Sequence, residues 1–169
     1  LSCFLVACSN DPNGSSSENE IRNDDNGIFK LELHVNGAAN DKAKILGVYG
    51  NQNFVIDSAA SDAKGLFVFD ADTMLPKGFY YVMFASDNSY FQLLLGKDQT
   101  FKLTATKGDY VNSMKVEGCT DNELLYKNLK FEEDFNRRLQ PINDKLATLP
   151  EGTTEFTSLK TAQDKLIEE

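Results

Sequence analysis

The sequence predicts a mainly β protein: an antiparallel β-sandwich or partly open barrel of about seven to eight strands, followed by two C-terminal α-helices. Three observations carry this. From Ile28 to Glu117 apolar and polar residues alternate with the period of a half-buried strand. Turn-forming residues separate the alternating runs at intervals of roughly ten residues. At Thr120 the spacing of apolar residues changes to the threes, fours and sevens of an amphipathic helix.

In the first strand Phe29, Leu31, Leu33 and Val35 alternate with Lys30, Glu32 and His34, and Asn36-Gly37 marks its end. The second strand covers Ala43 to Tyr49 and the third Phe54 to Ser58. Lys64-Gly65 leads into a fourth, Leu66 to Phe69. Leu75-Pro76-Lys77-Gly78 is a turn, with Pro fixing φ and Gly accepting positive φ. The remaining strands are Phe79 to Ala85, Tyr90 to Leu95, Phe101 to Thr106 and Met114 to Glu117. On the fifth, Phe79, Tyr81 and Met83 share one face, while Tyr80, Val82 and Phe84 share the other. A strand apolar on both faces is central, or lies under the helices.

Thr120 followed by Glu123 fits a capping box, and Asp121 favours the positive end of a helix. Leu124, Phe131, Phe135, Leu139, Ile142 and Leu146 line one face. Pro141 is expected to kink or interrupt this helix, and Leu149-Pro150-Glu151-Gly152 to end it. A second helix begins at Thr153 or Thr154, carries Phe156, Leu159, Leu166 and Ile167, and reaches Glu169 without a stop signal. More protein is therefore expected to follow.

The front of the chain carries the address. Leu5-Val6-Ala7-Cys8 follows a short apolar stretch and precedes a polar one, as at a lipoprotein cleavage site. Cys8 is the expected lipid attachment site. Two acyl chains anchor stably, each buried methylene contributing about 0.8 kcal/mol. The expected organisation is residues 1–8 as the end of a signal peptide with its lipobox, 9–26 as a flexible tether, 27–118 as the β domain and 119–169 as a helical extension. The tether is rich in Ser, Asn, Asp and Gly and buries too little to order itself. The expected location is the bacterial cell envelope, lipid-anchored, on the periplasmic face or at the outer membrane.

Composition narrows the function classes. A net charge of -9 on 169 residues argues against nucleic acid and against electrostatic docking on anionic lipid. With Cys3 in the leader and Cys8 carrying lipid, Cys119 is left alone, and there is no Cys-x-x-Cys pair. A single thiol of this kind is expected to be buried and inert. His34 is the one histidine, so a metal site or a Ser-His-Asp triad lacks partners. Asp70-Ala71-Asp72 supplies too few oxygens for calcium, and Glu132-Glu133-Asp134 points in different directions around a helix. No cofactor, metal or catalytic group is expected. The candidate contact residues are Phe79, Tyr80, Tyr81, Phe84 and Tyr90, read either as core plus helix-covered surface or as a patch that docks another domain or a peptide.

The turn order adds a resemblance. Gly47, Asp57, Gly65-Leu66-Phe67, Pro76-Lys77-Gly78-Phe79-Tyr80, Gly96 and Val116-Glu117-Gly118 form a series of strand and turn elements followed by helices. The series resembles the N-terminal β-rich domain of unknown function of Bacteroidetes-type lipoproteins. In that family the domain often precedes a thioredoxin-like domain of the thiol:disulfide interchange or peroxiredoxin-like type. The resemblance implies that redox chemistry resides in that later domain, so no catalytic residue carries over. The expected function is a non-catalytic module that positions a downstream thioredoxin-like domain or contacts its partner. The alternative is a stand-alone lipoprotein whose β-sandwich binds a peptide or glycan.

Overall fold

The computed structural model describes residues 27–49 and 52–169. The leader, Cys8 and the tether lie outside the described residues. The strands are β1 (Phe29–Asn36), β2 (Lys42–Tyr49), β3 (Gln52–Ala60), β4 (Leu66–Ala71), β5 (Gly78–Phe84), β6 (Tyr90–Leu95), β7 (Thr100–Thr106) and β8 (Lys115–Glu117). The helices are α1 (Tyr110–Ser113), α2 (Thr120–Leu146) and α3 (Thr154–Ile167). None of the described helices is long and apolar enough to cross a membrane.

Two four-stranded sheets, ordered β4-β1-β7-β8 and β3-β2-β5-β6, form the sandwich. Neither closes on itself, so the barrel alternative does not hold. Strand alternation builds the core from both sheets. Phe29, Leu31, Leu33 and Val35 point in from β1, Phe67 and Phe69 from β4, and Phe101 and Leu103 from β7. Ile45, Tyr80, Val82, Phe84, Phe91, Leu93 and Leu95 meet them from the other sheet. Phe84 is the hub: its ring meets Phe67 edge-on at 5.7 Å and stacks on Tyr110 at 5.4 Å.

Gly65 shows why part of the turn series is fixed. Its φ is +84°, and a Cβ there would sit 2.3 Å from the Val35 carbonyl oxygen. Any side chain would drive the β3–β4 turn off the end of β1.

The sandwich departs from an all-antiparallel reading at one pair. β1 and β7 run parallel, from Lys30 opposite Thr100 to Asn36 opposite Thr106. Parallel neighbours need a long crossover, and here the whole second sheet intervenes in sequence. Alternation reports which face a residue takes, not which way its neighbour runs.

One helix expectation narrows and another changes. Helix α2 runs unbroken through Pro141. Pro141 is exposed, so the Arg137 carbonyl that loses its partner can turn to water. The capping box is not formed either: Cys119 is the N-cap, without a side-chain cap bond, and Thr120 is already helical. At α3 the cap is as expected, with the Thr153 side chain accepting from the Phe156 N–H at 3.2 Å.

The first turns of α2 seal the outer edge of β6, a strand edge that would otherwise invite pairing. The buried Asn122 carboxamide accepts from the Leu94 N–H at 2.9 Å and donates to the Leu94 carbonyl at 2.7 Å. One side chain thus replaces the peptide group of a missing strand. One turn on, the Tyr126 hydroxyl donates to the Gln92 carbonyl at 2.7 Å. Burial pushes the Tyr126 phenol far up, so it stays a donor at any physiological pH.

The predicted stripe on α2 therefore lies away from the sandwich. Phe135, Leu139, Ile142 and Leu146 are half-buried along the part of α2 that pairs with α3. Leu124 and Phe131 stay exposed. Helix α3 runs antiparallel to α2, with Gln163 donating to Asn143 at 2.6 Å and Arg138 paired with Glu169.

Candidate functional site

The outward faces of the two sheets differ in kind. On the β4-β1-β7-β8 sheet, Glu32 lies between Lys102 at 2.8 Å and Lys30 at 3.6 Å. His34 lies beside them, its Nε2 2.9 Å from the Lys64 carbonyl oxygen. These charges lie on a solvated surface beside exposed Leu66 and Val68, and among the described residues His34 has no nucleophile or metal-binding partner on it.

On the β3-β2-β5-β6 sheet the outward face carries Lys44 and Gln92 but is largely apolar around Tyr81. Leu46, Val48, Tyr81, Met83 and Tyr90, with Asn53, surround a depression of about 320 Å³. Tyr81 and Tyr90 meet edge-on with ring centroids 5.6 Å apart. Register explains the grouping: Leu46 lies opposite Tyr81, and Met83 opposite Tyr90, so alternate residues of three strands reach one surface.

The five candidate contact residues divide between the two faces of this sheet. Phe79 and Tyr90 are 55% and 57% exposed, and Tyr81 is half-buried beside them. Tyr80 and Phe84 are not part of a surface patch: they are 5% and 0% exposed and belong to the core. Tyr80 instead donates from its hydroxyl to the Pro76 carbonyl at 2.6 Å, holding the β4–β5 turn. Leu46, Val48 and Met83 join the patch. Their signal was in the sequence, because apolar residues stand at both even and odd positions of β2.

At one end of the sandwich lies a polar cluster. Lys107 Nζ is 2.7 Å from an Asp41 carboxylate oxygen and 3.4 Å from one of Asp87, and also donates to Ser86. It lies 5.6 Å from the centre of the Phe84 ring. A serine beside a lysine resembles a nucleophile with its base, but the hydrogen bond to Asp41 holds the Lys107 ammonium above its ordinary pKa. A charged lysine cannot take a proton, so this arrangement ties three connections together rather than activating Ser86.

Burial pushes the Asp41 carboxyl up, yet hydrogen bonds from Lys107 and Ser86 outweigh it and leave its pKa below the ordinary 3.8. A depressed carboxyl gives stability that is complete above its unfolded value and is lost as pH falls through its folded one. The urea midpoint of the wild type should therefore fall more steeply than that of Asp41→Asn between about pH 5 and pH 2. Parallel curves across that window would remove Asp41 from the account.

The remaining candidates have structural partners. Cys119 is buried, with Asn122 Nδ2 at 3.1 Å from its sulfur. Asp134 pairs with Arg137 and Arg138, Glu132 accepts from Asn128, and Glu133 accepts from Asn112. No group of three or more His, Cys, Asp or Glu side chains able to hold a metal occurs among the described residues.

A second concavity of about 330 Å³ lies between β6, α1 and α2. Tyr90 borders both depressions, because it ends the outward row of β6 where α1 and α2 begin to cover the strand.

Comparison with known proteins places the chain in a family without placing its activity. No curated protein matches the sequence. Eight chains of solved structures match this one. One, described as a crystal structure of (S)-allantoin synthase, is 10% identical with a TM-score of 0.40, over 57% of this chain and 45% of that one. The match spans less than half of that enzyme's chain, and so distant a likeness carries no argument about fold or activity. Residues 29–125 match the family described as "Domain of unknown function (DUF4369)". That stretch holds all eight strands and the first turn of α2 with Asn122, and ends one residue before Tyr126. The chain belongs to the DUF4369 family, a domain of unknown function.

Proposed function

We propose that this chain is a non-catalytic contact module of an exported lipoprotein, anchored through Cys8 in the bacterial cell envelope. Its outward sheet face, built on Phe79, Tyr81, Met83 and Tyr90, meets a partner, which we take to be a thioredoxin-like domain following it in the natural protein. One observation carries this reading. Large apolar side chains cluster around Tyr81 and Tyr90 on one outward face, whereas the other carries the Lys30–Glu32–Lys102 ion pairs beside Leu66 and Val68, and clustered exposed apolar surface marks interaction sites. The anchor rests on Leu5-Val6-Ala7-Cys8 and the polar stretch after it.

Mass spectrometry of the amino-terminal peptide of the native protein tests the anchor. Diacylglyceryl-Cys8 is expected, and Cys8→Ser should release the protein into the soluble fraction. An unmodified Cys8 in the envelope overturns it. Reading the gene past Glu169 tests the partner: a Cys-x-x-Cys in a thioredoxin-like context is expected, and a stop codon there overturns that assignment. The second reading, a stand-alone peptide- or glycan-binding lipoprotein, draws on the depression around Tyr81. It predicts that stop codon together with ligand binding by the chain alone.

A further inference from the structure

We infer that the groove between β6, α1 and α2 is a seat for an organic cation on an alkyl stem, the chemistry of a lysine or arginine side chain or of a free diamine. The inference stands apart from the anchor and shares with the outward sheet face only Tyr90, which borders both depressions. At about 330 Å³ the groove is large enough for one such group. Its walls include Tyr90, Tyr110, Tyr126 and Leu129, and two carboxylates, Asp109 and Glu133, line it as well.

The two acids come from different elements and are held toward each other. Asn112 Nδ2 donates to Asp109 at 3.1 Å and to Glu133 at 2.9 Å, bridging the start of α1 to α2. A neutral amide orients the two carboxylates without cancelling their charge. Neither takes part in an ion pair among the described residues. The nearby cations are committed elsewhere: Lys107 to Asp41 and Asp87, Lys130 to the Met114 carbonyl, Arg137 to Asp134.

The tyrosines complete the chemistry. Tyr126 and Tyr110 use their hydroxyls on the Gln92 carbonyl and on Ser89. Both rings are buried, Tyr126 2% and Tyr110 8% exposed, so the open aromatic surface of the groove is the Tyr90 ring, 57% exposed. Aromatic faces attract cations and pack against methylene stems. Two uncompensated negative charges beside such walls select a cation with an apolar stem over a neutral or anionic group.

The test is a titration of the isotope-labelled chain at low salt, followed by amide chemical shifts. The probes are N-acetyl-arginine amide, its neutral isostere N-acetyl-citrulline amide, and cadaverine. Saturable shifts are expected at Gly108–Val111 and Leu129–Glu133 with a cationic probe and not with the citrulline probe. Binding of the arginine probe, alone or together with cadaverine, identifies a protein side chain as the ligand source; binding of cadaverine alone identifies a free diamine. The double substitution Asp109→Asn, Glu133→Gln should weaken binding about tenfold, the sum expected for two partly screened charge contacts. Equal shifts with the citrulline probe, no shifts up to probe solubility, or unchanged affinity in the double variant would each overturn the proposal.

Discussion

Phe84→Ala is expected to destabilise the protein by about 3–5 kcal/mol, the range for deleting a fully buried aromatic ring. The ring touches Phe67, Phe91 and Tyr110, so its loss opens a cavity bordered by β4, β6 and α1 together. It also supports the Lys107 ammonium, which lies 5.6 Å from the ring centre and joins Asp41 to Asp87. Both effects act in one direction. Phe79→Ala, on the opposite face of the same strand, should change stability by no more than about 0.5 kcal/mol. Urea unfolding of the two variants decides the matter. Equal effects would mean that the β5 faces have been assigned the wrong way round.

Asn122→Ala is expected to cost about 3 kcal/mol, because it leaves the Leu94 N–H and C=O both unpaired beneath α2. Neither group can turn to water while the helix stays docked. The alternative is release of the first turns of α2, which would also free the Gln92 carbonyl from Tyr126. Hydrogen exchange separates the two outcomes. Fast exchange at the Leu94 amide with an intact core marks release of the helix. Unchanged exchange and an unchanged urea midpoint would contradict the view that α2 seals β6 through Asn122. Tyr126→Phe should cost less, near 1 kcal/mol, since it removes one hydrogen bond and keeps the ring.

These two residues also show what a sequence read alone can and cannot convey. Strand alternation was legible because each strand has one face toward the core: Phe29, Leu31, Leu33 and Val35 announce themselves, and all eight strands lie where the period places them. Helix α2 was legible as a helix but not as a docked one. Its apolar stripe through Leu124 and Phe131 is the more conspicuous pattern, yet the face that meets β6 does so through an asparagine and a tyrosine hydroxyl. Hydropathy gives such residues no weight, and their role exists only once an unpaired strand edge lies opposite. The parallel β1–β7 pair was hidden for a similar reason, since pairing direction is a long-range property.

The contact patch was half legible. Phe79, Tyr81 and Tyr90 could be named from β5 and β6, but Tyr80 and Phe84 entered with them because both faces of β5 are apolar. Separating the faces needs the other sheet in place. The groove beside α1 was not legible. Asp109, Asn112 and Glu133 are scattered polar residues until α1, a four-residue helix with no periodicity of its own, sets two of them against α2.

The claim on which most depends is that the outward face of the β3-β2-β5-β6 sheet is covered by a partner in the natural protein. Two valines make a matched pair for testing it: Val48 on this face is 45% exposed, and Val68 on the outward face of the other sheet is 44% exposed. Maleimide labelling rates of Val48→Cys and Val68→Cys should be compared in the isolated chain with Cys8→Ser and in the full native protein. The account predicts that Val48→Cys labels several-fold more slowly in the native protein while Val68→Cys labels at the same rate in both. Equal rates for Val48→Cys in the two forms would contradict it.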